Sequence, residues 1–148
     1  MRTPDQYQPF YQVRAYRLIT VTLVFMAVGT MAELVLLEHY EDQWQLIPIL
    51  LVGTAIVFFI LMKWYSPKAL IIIFKGLMIG CAISGLLGIW FHLKANMEFE
   101  MELHPSSSGW PLFIDSLAGA LPALAPGSMI VFALIGYLYT ILILKQPK

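Results

Sequence analysis

Long apolar stretches separated by short polar ones organise this chain. Hydrophobic residues run almost without interruption over about 18–38, 46–64 and 69–93. A fourth run ends at Leu144 and begins somewhere between Ser116 and Ser128. Each approaches the roughly 20 residues that an α-helix needs to cross the hydrocarbon core of a bilayer. Each must be helical there, because lipid offers no partner to an unpaired backbone amide. The segments between them are polar. Residues 39–45 make a hairpin, Tyr65-Ser66-Pro67-Lys68 a tight turn, and 94–115 the one long loop. Short links make neighbours antiparallel. The pattern therefore predicts an all-α integral membrane protein, a single domain over 1–148, folded as an up-down bundle of four transmembrane helices.

The fourth helix, placed at 117–144, is expected to be kinked or broken. Pro122 and Pro126 each remove a backbone donor and crowd the preceding turn, and Gly127 follows. The uninterrupted part, 129–144, covers only about 24 Å. Asp115 and Ser116 read as the N-terminal cap of this element. Broken helices at membrane depth free carbonyls and amides that transporters use for ions and substrates, and they also occur as plain kinks.

Composition agrees with the pattern. Of 148 residues 59% are hydrophobic and only 12% charged, where a soluble domain carries about 25% charged residues. Mean hydropathy is +0.77. A net charge of +0 gives no case for nucleic acid. The one cysteine, Cys81, lies inside an apolar run and excludes an internal disulfide. The first apolar run is longer than a secretion-signal core and no small-residue cleavage site follows it, so it reads as a retained helix.

Charge sets an orientation. Arg2, Arg14, Arg17, Lys63, Lys68, Lys75, Lys145 and Lys148 fall on one side of the predicted bundle and only Lys94 on the other. Basic residues stay inside, so both termini are expected in the cytoplasm, the default membrane being a bacterial inner membrane. Asp5 is the sole acid on that side. Glu33, Glu38, Glu41, Asp42, Glu98, Glu100, Glu102 and Asp115 lie on the other, with His39, His92 and His104. Acids contribute little to insertion, so their segregation carries separate information.

Candidate chemistry lies on that side. Glu33 falls about one turn inside the first helix, where a carboxylate usually faces protein or water. With Glu38 and Asp115 it is a candidate ion or proton site; the plainer reading is a carboxyl that fixes helix packing. His92 continues the register of Gly76, Gly80, Ser84 and Gly88, a small-residue stripe that lets two helices approach closely. His92 should therefore emerge beside a tight contact; Glu33 could come near it, but the spacing leaves open whether the stripe faces the first, second or fourth helix. Residues 97–104 alternate Met-Glu-Phe-Glu-Met-Glu-Leu-His. As a strand they share one polar face; as a continued helix they pair Glu98 with Glu102 and Glu100 with His104. His39, His92, His104, Glu98 and Glu102 form a candidate divalent-metal set, although no recognised metal spacing is present. His39 with His92 as axial haem ligands is a further alternative.

No nucleophile elbow, P-loop, dinucleotide glycine pattern or Cys-x-x-Cys occurs, so an enzyme is disfavoured. Three readings of function remain. The first is a subunit or accessory partner of a membrane assembly, surrounded by lipid and associated with itself or another membrane protein. The second is a small transporter, ion- or proton-coupled. The third is a metal- or haem-binding redox protein.

Overall fold

The computed structural model describes residues 4–144, and the side chains of residues 11–144. Arg2, Lys145 and Lys148 lie outside the described residues, and the side chain of Asp5 outside the described side chains. Among the described residues there are five helices and no strand. They are α1 (Pro4–Leu36), α2 (Gln43–Trp64), α3 (Lys68–Leu103), α4 (Gly109–Leu117) and α5 (Gly127–Leu144). All but α4 are long and apolar enough to cross a membrane.

The four long helices form a ring. α3 packs most extensively on α5, α5 on α1 and α3 on α2, while the α1–α2 seam is the loosest. The backbones of diagonal pairs stay apart, while side chains such as Phe59 of α2 and Tyr139 of α5 meet across the centre, their ring centroids 5.2 Å apart. Short links at Leu37–Asp42 and Tyr65–Pro67 enforce antiparallel neighbours. The interior is apolar. Leu23, Val52, Phe74, Met78, Cys81, Phe132 and Tyr139 are fully buried. Outward-facing positions such as Leu18, Phe25, Leu50, Ile72 and Leu134 stay exposed on every long helix. Apolar residues on both faces mark a bundle whose solvent is lipid.

Glycines set the closest approaches. A Cβ on Gly85 would stand 2.8 Å from Pro126 O, and one on Gly88 2.7 Å from Pro126 Cβ. A Cβ on Gly136 would overlap Met78. The expected stripe does not meet a single partner. Gly76 faces open space, Gly80 meets Leu51 of α2, Ser84 faces a cleft, and Gly88 meets the chain before α5. Gly85, one position off the stripe, makes the tightest contact with α5, because α3 and α5 cross along a line that the four-residue spacing does not follow.

Two expectations change at the acidic end. The loop over 94–115 is mostly helical. α3 runs on to Leu103, giving a helix about 54 Å long against about 30 Å of hydrocarbon. The alternating segment thus takes helical spacing, with Lys94 Nζ 3.4 Å from Glu98 one turn on. The last helix is fully broken rather than bent. Residues 118–126 are non-helical, and α4 precedes them as a short amphipathic helix. It buries Leu112 and Ser116 against α3 and exposes Trp110 and Ile114. Asp115 and Ser116 therefore do not cap the last helix. They close α4, where Ser116 Oγ donates to Leu112 O at 2.6 Å.

Candidate functional site: a cleft at the acidic end

The break between α4 and α5 is held by one side chain. Asn96 is the only asparagine in the chain and sits one turn beyond His92 on α3. It is 1% exposed, yet every bond its amide needs is supplied. Nδ2 donates to Ser116 O at 2.9 Å and to Leu121 O at 2.7 Å, while Oδ1 accepts from Leu121 N at 2.9 Å. Helix-breaking prolines leave backbone groups without intrahelical partners, and Asn96 takes up two carbonyls and an amide at once. Gly119 lies so close that a Cβ there would fall 2.6 Å from Asn96 Cγ. The signal that could have found Asn96 is its four-residue step from His92 combined with its uniqueness.

With the break fixed, Pro122 reaches His92. His92 Nδ1 stands 3.2 Å from Pro122 O. A carbonyl oxygen only accepts, so Nδ1 carries the proton. His39 arrives from the other side by a different device. α1 ends in a Schellman closure: His39 N donates to Leu34 O at 2.9 Å and Glu38 N to Val35 O at 3.1 Å. Glu38 occupies the left-handed position at φ 53°. The reversal turns His39 back over the bundle, its ring centroid 6.2 Å from that of His92. The loop then closes at Asp42, whose Oδ1 accepts from Gln45 N at 2.9 Å to cap α2.

These elements enclose a cleft of about 60 Å³. Thr30 and Glu33 line it from α1, Pro48 from α2, Ser84 and His92 from α3, Pro122 and Pro126 from the break, and Ser128 and Met129 from α5. Burial lowers the pKa of His39, as does the neighbouring His92; Asp42 opposes them. One carboxyl, two imidazoles and three hydroxyls stand among apolar walls and can hydrogen-bond a small solute. The volume suits a few waters.

Of the sequence candidates, Glu33, His39 and His92 line this one cleft, together with Pro122 and Pro126 of the break. Other candidates stand apart. His104 ends α3 three turns past His92, about 18 Å along the axis. Glu98 and Glu102 flank the projecting part of α3, Asp115 is exposed on α4, and Glu38 points away as a helix terminator. Among the described residues no three His, Cys, Asp or Glu side chains gather into a set that could hold a metal. The helical continuation of α3 is the reason, because it carries His104 away.

A second constellation lies at the opposite, basic end, and the sequence pattern did not reveal it. The Tyr16 and Tyr139 hydroxyls are 3.2 Å apart, and Lys63 Nζ donates to Tyr16 at 3.2 Å. The ammonium stands 5.0 Å from the ring centroids of Tyr16 and Phe59 and 5.4 Å from that of Tyr139.

Fold and cleft together define a multi-pass, all-α membrane bundle with a cleft at one end whose walls are mainly apolar and carry a few polar side chains. The chain matches no protein-family model, no curated protein and no solved structure.

Proposed function

We propose that this is a small non-enzymatic membrane protein that serves as a subunit or accessory partner of a larger membrane assembly, and that its cleft is a proton-responsive recognition point for that assembly. One observation carries the reading. All four transmembrane helices build the cleft, yet Leu23, Met78, Phe132 and Tyr139 fill the interior beneath it. A recess with a few polar side chains and a packed floor suits binding rather than conduction. The segregation of Arg and Lys supports an orientation with both termini in the cytoplasm and the cleft on the outer face. Purification from native membranes in mild detergent tests the reading. The protein should elute with a stoichiometric membrane partner.

The Glu33 carboxyl in the cleft favours a second reading, a small ion- or proton-coupled transporter. A single copy has no open route, so transport would need oligomerisation. Purified protein that alone moves protons or cations across vesicles, with the flux lost in Glu33→Gln, would establish this reading and overturn the first.

A further inference from the structure

The loose α1–α2 seam opens an apolar groove of about 230 Å³. Val24, Val28, Ala55, Phe59 and Ile60 line its walls, and Phe74 of α3 lies at its back. Every lining residue is apolar. Val28 and Ile60 at the rim are exposed, so the groove faces the bilayer sideways. It does not end blindly. Phe59 is both a groove wall and one of the three rings beneath the Lys63 ammonium, 5.0 Å away. Lys63 is one turn beyond Phe59, about 6 Å further along α2. Trp64 and Tyr65 follow it, both largely exposed, and such residues sit at headgroup level.

The charge around Lys63 is one-sided. Arg17 and Lys68 share this end, while every described Asp and Glu side chain is at the other end of the bundle. Among the described residues Lys63 meets a hydroxyl and three aromatic faces but no carboxylate. A cation at headgroup depth, positioned by a ring that also walls an apolar groove, is complementary to one kind of molecule. We infer that the α1–α2 groove binds one acyl chain of an anionic glycerophospholipid whose phosphate pairs with Lys63. A partner helix would fill the groove equally well but would leave the ammonium without a counter-charge at its mouth. The lipid supplies both.

Native mass spectrometry of the full-length protein tests this, with phosphatidylglycerol and phosphatidylcholine of identical chains supplied in equal amounts. Wild type should retain the anionic lipid about fivefold over the zwitterionic one, the scale expected of one surface cation. Lys63→Gln should bring the ratio to near one, and Lys63→Arg should preserve it; circular dichroism verifies that each variant is folded. Val28→Trp fills the groove from an exposed rim position and should lower retention of both lipids. A wild-type ratio near one, a ratio unchanged by Lys63→Gln, undiminished retention in Val28→Trp, or a dimer whose formation expels lipid would each overturn the proposal.

Discussion

Asn96 and Leu121 bond to each other twice, Nδ2 to the Leu121 carbonyl at 2.7 Å and the Leu121 amide to Oδ1 at 2.9 Å. Through this pair α3 holds the chain where two prolines have ended one helix and delayed the next. Asn96→Leu keeps the volume and removes all three bonds. It should destabilise the protein by about 2–4 kcal/mol, because buried backbone groups at Ser116 and Leu121 lose their partners. Thermal unfolding in detergent micelles measures the loss. Asn96→Asp should not rescue it, since a carboxylate cannot donate to either carbonyl.

Glu38 closes α1 in a left-handed conformation that costs an L-residue about 1 kcal/mol. Glu38→Gly should therefore raise stability by about that amount, while Glu38→Val should lower it. Midpoints of thermal unfolding distinguish the two. A loss of stability in Glu38→Gly would mean that the carboxylate makes a stabilising contact rather than merely ending a helix.

His39 predicts a pH dependence. Its ordinary value is 6.5, and burial with His92 nearby holds it lower in the folded protein. Below about 6.5 the unfolded chain then binds more protons than the folded one. The contribution of His39 is complete above that pH and is lost as pH falls through it. Asp42 opposes the shift from the α2 cap, and Glu33 lines the same cleft. Unfolding midpoints should drop between pH 7.5 and 5.5 in wild type and drop less in His39→Gln.

The glycines of α3 separate by partner. Gly85→Ala drives a methyl into Pro126 O and should cost about 1–3 kcal/mol. Gly76→Ala meets nothing within 4 Å and should stabilise the helix by up to about 1 kcal/mol. Chemical or thermal unfolding of the two variants side by side compares them directly.

Hydropathy made the four spans legible, because lipid forces apolar residues into runs of fixed length. The break at Pro122–Gly127 was legible from proline chemistry, whereas register alone did not say which helix His92 would face. The course of residues 94–115 was not. Alternation of Glu with Met and Phe fits a strand as well as a helix end, and only the docking of α4 on α3 decides between them. Asn96 stood out only as the one asparagine, four residues from His92, because its partners are backbone groups of a segment whose path no side-chain pattern encodes. The Tyr16–Lys63–Tyr139 cluster joins three helices whose sequence spacing says nothing of their rotation. The stripe from Gly76 to Gly88 was legible as small residues but not as contacts, because facing depends on where α5 crosses.

The central claim is a cleft open at the acidic end and closed beneath. Cys81 and Ser84 lie one turn apart on α3, the first fully buried and the second lining the cleft. Ser84→Cys in a Cys81→Ala background should react with a small membrane-impermeant thiol reagent added to the face opposite the termini, and not from the other face. Native Cys81 should stay unmodified from both sides. An inert Ser84→Cys, its modification from the side of Lys63, or rapid modification of Cys81 would contradict the account.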